Sequence, residues 1–322
     1  ILANNEVHGQ RQPISDDVGG AARLASLVAD RRGATPSTLG VPAGDLIGAS
    51  PAISAWFRDE PTVEVMNAMG YDAMAPGNVD LFYDQATLKR LFSAANFPIV
   101  AANFYDADFN ERVDLPNVKP YIIKQVGGRK VAIIGMAYHW MSRGTDHKQW
   151  SFGLRMDEVQ ADINRLRSQE QVDLVILLSH MGWKVDTRYA EMVSGIDVIV
   201  GAHTHDILYR PTLVNNRISK RTVLIVQCGS HGKMLGQLDL KIRGKRVTAF
   251  NQTLFPIRSS EIRPDPEIQS LIQKLRAPYE AELKRVIGVT GTLLYRQGTW
   301  QSTADNLIVD ALRARSQQQV AV

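Results

Sequence analysis

The sequence predicts an α/β fold, because segments with helical spacing alternate with short apolar segments typical of buried strands. Gly19–Arg32 carries Ala, Leu and Val at helical spacing, and Gly33 then favours a helix end. Leu174–Leu178 and Val198–Val200 are continuous apolar runs, as expected for strands that are buried on both faces. This alternation favours helices packed on sheets, with polar residues in the loops at the strand ends.

The first half of the chain, about residues 1–115, alternates short predicted strands with helices. Pro42 lacks a backbone N–H and weakens one strand, and Pro61 is expected to break a helical stretch. In order, the predicted elements are a strand over Ile1–Asn5, a loop over Glu6–Val18, the helix Gly19–Arg32, a strand over Thr38–Ala43, two helical segments after Leu46–Ser50 that end at Gly70, a strand over Asp72–Ala75, a helix over Asp84–Asn96 and a strand over Ile99–Ala102.

The second half, about residues 120–255, is richer in strands and is predicted to form a second sheet-bearing half of the same domain. Gly127-Gly128 joins two apolar segments and predicts a hairpin. The predicted elements are the hairpin Tyr121–Val126 with Lys130–Ile134, a loop over Tyr138–Phe152, a helix over Met156–Ser168, the strand Leu174–Leu178, a short helix around Tyr189–Val193, the strand that begins at Val198, and strands over Val223–Cys228, Gln237–Ile242 and Val247–Leu254. A long helix is then predicted from Pro264–Glu267 to about Arg285, and a last helix over Thr303–Arg315.

Composition narrows the class of protein. Of 322 residues, 44% are hydrophobic and 22% charged, as in ordinary folded proteins, and no apolar run approaches the roughly 18 residues that cross a bilayer. The formal charge of +4 is small, and no stretch is dense in Lys and Arg, so no nucleic-acid partner is expected. Ile1–Asn5 is expected to be a strand rather than a signal peptide, with any targeting segment already absent. The single cysteine, Cys228, excludes an intrachain disulfide and is expected to be a buried, inert thiol.

Residue types that bind metals stand directly after five separate predicted strands. A mixture of carboxylate, imidazole and amide groups suits a pair of divalent cations such as Mn, Zn or Fe, whereas a structural zinc site would favour thiolates. Two such cations lower the pKa of a bridging water, which then attacks phosphorus or another electrophile. The pattern therefore predicts a metal-assisted hydrolase. The candidate ligands are Glu6, His8, Asp45, Asn78, His180, His203 and His205.

Each candidate also has a structural explanation. His180 could be a loop or core histidine, Asn78 a turn residue after Pro-Gly, and Asp45 a helix cap. The pair His203 and His205 is harder to explain without a metal. His231 lies among glycines that let the backbone approach a ligand, so either a substrate-binding role or a plain loop position is open. His139 and His147 could line the cleft or lie on the surface.

Five short motifs contain the candidate ligands and follow one another along the chain. They are Asn5-Glu6-Val7-His8-Gly9, Gly44-Asp45 with Gly48-Ala49-Ser50-Pro51, Gly77-Asn78, Ser179-His180 and Gly201-Ala202-His203-Thr204-His205. In this order they resemble the calcineurin-like metallophosphoesterases, specifically their 5′-nucleotidase branch. The resemblance covers about residues 1–310 and depends on the order of the motifs, since each alone is weak. Ala43–Asn78 looks most like bacterial 5′-nucleotidases, whereas Trp150–Arg155, Gly229–Lys233 and Leu294–Trp300 are more similar to SoxB, the sulfur-oxidation thiosulfohydrolase of the same branch.

The resemblance implies a four-layer α/β/β/α sandwich with a catalytic domain over residues 1–290. Residues 291–322 would be a connector and the first helix leading to a C-terminal specificity domain that is absent from this chain. A periplasmic or secreted location is implied by the resemblance alone.

The resemblance also implies roles for the candidate ligands. Glu6, His8 and His205 would hold one metal. Asn78, His180 and His203 would hold the other, with Asp45 bridging the two. Asp45, Asn78 and His180 would thereby form the catalytic set. The substrate-binding role predicted for His231 rests on its neighbouring glycines instead.

Two positions depart from the family pattern. Glu6 stands where the family has Asp, and Val79 stands where phosphoesterases of this branch carry a catalytic histidine. Valine can neither donate a hydrogen bond nor transfer a proton, and loss of one such donor costs on the order of 100- to 1,000-fold in rate.

Three functions follow from these implications. The first is hydrolysis of a nucleotide-like phosphate ester by a dinuclear metal centre. The second is a SoxB-like thiosulfohydrolase that releases sulfate from a cysteine S-thiosulfonate on a carrier protein. The third is a catalytically impaired homologue that uses its cleft to bind a ligand or partner.

Overall fold

Strands and helices alternate through most of the chain, which confirms the predicted α/β class. The computed structural model describes residues 1–13, 17–141, 149–296 and 301–316, and the chain divides into two units, Ile1–Arg276 and Ala277–Val322. The strands are β1 (Leu2–Ala3), β2 (Ile99–Val100), β3 (Tyr105–Asp106), β4 (Val118–Lys119), β5 (Tyr121–Val126), β6 (Arg129–Met136), β7 (Trp150–Ser151), β8 (Leu174–Ser179), β9 (Val198–Gly201), β10 (Thr212–Asn215), β11 (Thr222–Val226), β12 (Met234–Arg243) and β13 (Arg246–Pro256). The helices are α1 (Ala21–Ala34), α2 (Ala52–Trp56), α3 (Glu60–Met69), α4 (Gln85–Ala94), α5 (Met156–Ser168), α6 (Trp183–Met192), α7 (Pro266–Arg276), α8 (Glu280–Lys284) and α9 (Thr303–Ser316).

The larger sheet has six strands in the order β10-β11-β9-β8-β6-β5. Its four inner strands run parallel, and the two edge strands are antiparallel to their neighbours. The predicted hairpin is present as β5 and β6, although β6 continues to Met136. Because the inner strands are parallel, β8 and β9 end at the same edge of the sheet.

The second sheet is built around β1. This strand pairs antiparallel with β12, which pairs in turn with β13. On its other side, Leu2 exchanges backbone hydrogen bonds with Leu39 and Val41, at 2.7 and 2.9 Å. A parallel bridge joins Met74 to Ile99, and β2 pairs with β4. The prediction that each half of the chain forms its own sheet is therefore wrong for β12 and β13, since periodicity in the sequence does not encode which strands pair.

Two predicted strands of this sheet are less regular than expected. Thr38–Ala43 and Asp72–Ala75 pair through isolated bridges and single hydrogen bonds rather than as full strands. Pro42 has no N–H to donate and only accepts a hydrogen bond, from Ala75 N at 3.3 Å. These segments nevertheless extend the sheet between β1 and β2.

Three apolar cores separate four layers, which confirms the predicted sandwich. Along β8, Leu174, Ile176 and Leu178 pack in the core between the two sheets, whereas Val175 and Leu177 pack in the core beneath the helices. On that outer face the six-stranded sheet is covered by α5 and α6. The outer face of the second sheet is covered by α1, α3, α4 and α7. All six residues of β8 are at most 4% exposed, so both faces of the strand are buried.

Some elements differ from the predicted ones. The helix expected around Tyr189–Val193 begins earlier, at Trp183. Its first turns were not predicted because the buried polar residue Asp186 interrupts their apolar pattern. β10 and the short pair β3–β7 were not predicted, and β7 lies inside the predicted loop Tyr138–Phe152. Two-residue strands are too short to give a periodic signal.

The predicted helix from Pro264–Glu267 to Arg285 is interrupted. α7 ends at Arg276, a 3₁₀ turn spans Ala277–Tyr279, and α8 follows. Pro278 explains the break, since proline lacks the backbone donor and its ring clashes with the carbonyl four residues earlier.

In the second unit, the predicted helix Thr303–Arg315 is confirmed as α9. Ser302 precedes it and its hydroxyl accepts a hydrogen bond from Asp305 N at 3.1 Å, which satisfies an N–H of the first turn. The SoxB-like stretch Leu294–Trp300 falls partly outside the described residues, and His147 lies outside them. Across the described ranges, no helix is both long and apolar enough to cross a membrane.

Candidate metal centre

The seven predicted ligands stand on loops that leave the two sheets at one edge. Five follow regular strands, and two follow the extended segments between β1 and β2. The first five are Glu6 and His8 after β1, His180 after β8, and His203 and His205 after β9; the other two are Asp45 and Asn78.

Several of these loop residues have left-handed backbone conformations. Positive φ is uncommon outside glycine and costs on the order of 1–3 kcal/mol at each residue, so it persists only where the surroundings enforce it. Such conformations concentrate at functional sites, which supports a functional role for this edge. The residues, all with φ between 50° and 75°, are Glu6, His8, Asp45, His203, His205 and His231.

Glu6 lies at the centre of a first group of possible ligands. Its side chain is fully buried, and Oε2 lies 3.3 Å from His8 Nε2 and 3.0 Å from His205 Nε2. Oε1 accepts a hydrogen bond from the backbone N–H of His203. Glu6, His8 and His205 together offer three ligand atoms within 4.8 Å of one another.

A second group shares Glu6 with the first. It contains Glu6, Asp45 and His180, again with ligand atoms within 4.8 Å of one another. His180 Nε2 lies 3.2 Å from Asp45 Oδ2, and His180 Nδ1 donates to the carbonyl oxygen of Ala43 at 2.8 Å. That bond fixes the ring and leaves Nε2 for a ligand role, as backbone carbonyls that accept from a ligating histidine do in metal sites.

Asn78 connects His180 to His203. Its Oδ1 lies 3.2 Å from His180 Nε2 and 2.9 Å from His203 Nδ1. The structure therefore brings Asn78, His180 and His203 together, as the resemblance implies. Glu6 lies within reach of both groups, and Asp45 lies beside Glu6 and His180, so the bridging role of Asp45 stays a prediction.

The carboxylates of the site are balanced by imidazoles. Burial alone would raise the pKa of Glu6, but hydrogen bonds from His205 and His8 and the charge of His180 hold it well below its usual range. Burial would lower the pKa of His180, yet Asp45 and Glu6 raise it to about 10. Among the described residues, the ion pairs of Glu6 and Asp45 are formed with histidines and not with Lys or Arg.

A sequence profile described as calcineurin-like phosphoesterase matches residues 5–206 of the chain. The chain belongs to this family. The matched range begins at Asn5 and ends at Asp206, so it contains all seven candidate ligands of the centre.

Individual members of the family agree with this placement. The chain is 30% identical to a 5′-nucleotidase of Bos taurus, over 97% of this chain and 59% of that protein. A 5′-nucleotidase precursor from Thermus thermophilus superposes with a TM-score of 0.88 at 25% identity, over 98% of this chain and 66% of that one. The sulfate thiohydrolase SoxB of Thermus thermophilus superposes with a TM-score of 0.84 at 22% identity, over 98% and 67%, and shows the shared fold. The chain spans about 59% of the bovine protein's length.

The donor set fits the divalent metals associated with phosphoesterases of this family. Carboxylate, imidazole and amide donors are those of Mn, Zn and Fe sites rather than of thiolate-rich structural zinc sites. The buried carboxylates of Glu6 and Asp45 converge without an Arg or Lys partner in the described ranges, as groups that share a cation would.

Asp80 supports the centre from beneath and was missed by sequence reasoning. This fully buried carboxylate accepts hydrogen bonds from the backbone N–H groups of Asp45, Leu46, Ile47 and Gly77, at 2.7 to 3.0 Å. It thereby ties the Asp45 loop to the Asn78 loop. An acidic residue that follows Asn78-Val79 is a weak signal in one sequence, because acidic residues are common in loops.

A second buried aspartate, Asp59, organises the neighbouring loop. Its carboxylate accepts hydrogen bonds from Gly48 N, from the hydroxyls of Ser50 and Thr62, and from the Tyr83 hydroxyl. The sequence offered one signal, since Asp before Glu-Pro and a helical stretch is typical of a helix start.

Val79 occupies a buried position beside the centre. Its side chain is 8% exposed and packs against Gly48, where an added Cβ would lie 2.7 Å from Val79 Cγ1. Its backbone N–H donates to Asp45 Oδ1 at 2.8 Å. Val79 thus holds the Asp45 carboxylate through its backbone, while its side chain offers no polar group.

His231 lies next to the first group of ligands. Its ring centroid is 5.5 Å from that of His8 and 5.7 Å from that of His205, and its backbone N–H donates to the carbonyl of Glu6. Burial and the nearby charge of His8 lower the pKa of His231.

His139 is not part of these groups. His139 lies in a row of rings with Tyr138, whose centroid is 4.3 Å from that of His203. Tyr138 was missed as a neighbour of the centre, because an aromatic residue in a loop carries no specific signal.

Proposed function

We propose that this chain is a metal-dependent hydrolase of phosphate esters, acting on a nucleotide-like monoester with two divalent cations of the Mn, Zn or Fe class. The observation that carries the proposal is the pair of ligand groups that share the Glu6 carboxylate. In this proposal, Glu6, His8 and His205 hold one cation, Asn78, His180 and His203 hold the other, and Asp45 bridges the two. When bound, the cations supply Lewis acidity and a water of lowered pKa.

The chain's own residues would fix the geometry. The Ala43 carbonyl holds the His180 ring, and Asp80 holds the Asp45 and Asn78 loops together. Such preorganisation matters because a shift of about 1 Å in a reacting group can cost on the order of 100-fold in rate.

An open groove of about 440 Å³ beside His8 is the proposed substrate entrance. His231 lines this groove, which supports the predicted role of its imidazole in binding the phosphate or its leaving group. The other lining residues are Gln10, Ala49, Ser50 and Pro51.

The test is release of inorganic phosphate from AMP and from p-nitrophenyl phosphate by Mn-loaded protein. The proposal predicts turnover of both that chelator abolishes and fresh Mn²⁺ restores. Substitution His231→Ala should raise KM for both esters and leave the bound metal unchanged. Metal-loaded protein that releases no phosphate from either ester would contradict the proposal.

A SoxB-like thiosulfohydrolase is the second candidate, favoured by Val79 and by the motifs similar to SoxB. The resemblance implies that SoxB also lacks the histidine at this position, whereas phosphoesterases of the branch carry it. A peptide bearing a cysteine S-thiosulfonate serves as the probe for a carrier protein. Release of sulfate from this peptide, with no phosphate from AMP, would establish this candidate over the first.

A catalytically impaired, ligand-binding homologue is the third candidate, because Val79 and Glu6 both depart from the family pattern. The double substitution Val79→His with Glu6→Asp distinguishes it from an enzyme. A rise of orders of magnitude from near-zero activity would favour the impaired homologue, and fast turnover by the unaltered chain would exclude it.

The comparisons with 5′-nucleotidases also support a periplasmic or secreted location as a proposal. Fractionation of cells that express the native gene tests it.

A further inference from the structure

Arg11 is a buried cation without a partner among the described residues. It lies on the loop that follows Glu6 and His8, and it is 7% exposed. Its Nη1 atom is buried and makes no hydrogen bond, and no ion pair of Arg11 is found in the described part of the chain. A buried charge without a counter-charge is costly, and buried guanidinium groups are therefore normally paired.

The nearest charged side chains do not supply that partner. Asp59 and Glu64 favour the charged form of Arg11 from a distance, and Arg276 opposes it. The Asp59 carboxylate is already engaged by Gly48 N and by three hydroxyl groups.

A small cavity adjoins Arg11 at the start of α1. The cavity has a volume of about 20 Å³, which is room for about one water-sized occupant. It is lined by Arg11 and by Gly20 and Ala21 at the helix N-terminus. Gly20 gives no side-chain cap, and the first turn of α1 carries no acidic residue. The first intrahelical bond runs from Leu24 N to Gly20 O, and Ala21 N donates to Arg11 O, so the N–H groups of Ala22 and Arg23 remain without an acceptor among the described residues and form the positive end of the helix.

We propose that this cavity binds one monoatomic anion of the chloride class, held between the Arg11 guanidinium and the N-terminus of α1. Its size excludes phosphate and sulfate. Its remaining walls are largely apolar, with Gln10, Thr62 and Tyr71 as the lining residues that carry polar groups, and the uncompensated charge of Arg11 favours an anion over a neutral water there. The apolar lining residues are Val7, Leu24, Leu46, Val65, Met66 and Met69.

The anion would stabilise the loop that carries two candidate metal ligands. Arg11 O accepts a hydrogen bond from Ala21 N at 3.1 Å, so the loop is already tied to α1. An anion between the same two elements would add a second link close to Glu6 and His8. Binding to the folded chain alone raises the melting temperature with halide concentration.

Diffraction from crystals soaked in sodium bromide tests the site directly. The proposal predicts an anomalous bromide peak in the cavity beside Arg11. An empty cavity, or a water with no anomalous signal at the bromide edge, would overturn it. The bromide peak does not depend on catalysis, so this test can fail or succeed whether or not the chain is a hydrolase.

Thermal unfolding in solution gives the matched comparison. Mn-loaded protein, with manganese supplied as gluconate, is melted in sodium bromide and in sodium gluconate at equal ionic strength. The native chain should melt about 1–2 °C higher in bromide, which corresponds to roughly 1 kcal/mol for a protein of this size. Arg11→Met should abolish the difference. Arg31→Met, which removes a charge from α1 where Arg31 lies over the Phe255 ring, should preserve it.

Each outcome decides the question. A bromide effect that persists in Arg11→Met would place the ion elsewhere, such as at the metal centre, and would overturn the proposal. If Arg11→Met does not fold, the native chain's bromide peak still decides it.

Discussion

Asp80 shows how a residue outside the ligand set determines the positions of the ligands. Its two oxygens accept four backbone N–H groups from the loops that carry Asp45 and Asn78. Burial and the nearby Asp45 raise the pKa of Asp80 to about 7. The ionised carboxylate of Asp80 is the form best suited to accept four hydrogen bonds. A cation bound beside Asp45 would favour this ionised form and so stabilise the contacts of Asp80 with the two loops.

Asp80→Asn is predicted to weaken metal binding and to lower stability. The amide N–H₂ would face backbone donors and leave them unsatisfied, at a cost of about 1–3 kcal/mol. Isothermal titration with Mn²⁺ should show a reduced affinity, and urea unfolding a reduced free energy of unfolding. Asp106→Asn is the control, since Asp106 also accepts backbone N–H groups, from Asp108 and Phe109, and is not among the site residues. Equal metal affinities for the two variants would contradict the role of Asp80.

Asp186 makes the stability depend on pH. It is fully buried beneath β8, accepts a hydrogen bond from Ser179, and has one oxygen without a hydrogen-bond partner among the described residues. Burial raises its pKa to about 8, partly opposed by Ser179 and by the charge of His180. The folded pKa lies above the unfolded value, so this contribution to stability is present below about pH 4 and is lost as pH rises through 8.

Asp186→Asn is therefore predicted to remove a stability loss that the native chain shows between about pH 5 and 8. The loss approaches about 1.4 kcal/mol per pH unit for one proton. Urea unfolding at pH 5 and pH 8 measures it. Identical pH dependence in the native chain and the variant would show that Asp186 is not the group responsible.

At the scale of elements, the sequence predicted segments far better than their partners. Leu174–Leu178 and Tyr121–Val126 were predicted correctly because burial on both faces, or a glycine turn, leaves a clear local pattern. The pairing of β1 with β12 was not predicted, because it joins residues more than 200 positions apart in the sequence. The break at Pro278 was overlooked although its local cause is visible in the sequence.

The contact between β2 and β6 gives a prediction at this scale. Gly135 lies so close to β2 that an added Cβ would be 1.7 Å from Val100 O, a backbone atom that cannot move aside cheaply. Gly135→Ala should therefore separate the two sheets locally and lower the free energy of unfolding by several kcal/mol, roughly the upper range for point mutants.

Gly33→Ala is the matched control for that substitution. Gly33 lies in α1 with nothing within 4 Å of an added Cβ, so alanine should stabilise the helix by about 0.5–1 kcal/mol. A Gly135→Ala variant as stable as the native chain would contradict the close approach of the two sheets.

For the whole molecule, two sheets bring their strand ends to one edge, and this brings together candidate metal ligands that are far apart in sequence. The identity of the candidate ligands was readable, because metal-binding residue types followed one predicted strand after another. The position of Glu6 within reach of both ligand groups could not be predicted from the sequence. It depends on the left-handed backbone conformation of Glu6, with φ 56°, and on the contact between the loop after β1 and the loop after β9. Asp80 and Asp59 could not be predicted either, because in the sequence a buried aspartate that accepts backbone N–H groups cannot be distinguished from any other aspartate in a loop.

The central claim is that these residues hold two divalent cations, and the number of Mn²⁺ ions bound per chain at saturation tests it most directly. Equilibrium dialysis against excess Mn²⁺, followed by elemental analysis, measures that number. The account predicts two ions for the native chain and one for His205→Gly, which removes a ligand of the first group and keeps the left-handed conformation accessible. A native chain that binds no Mn²⁺ under these conditions, or only one ion, would contradict the account.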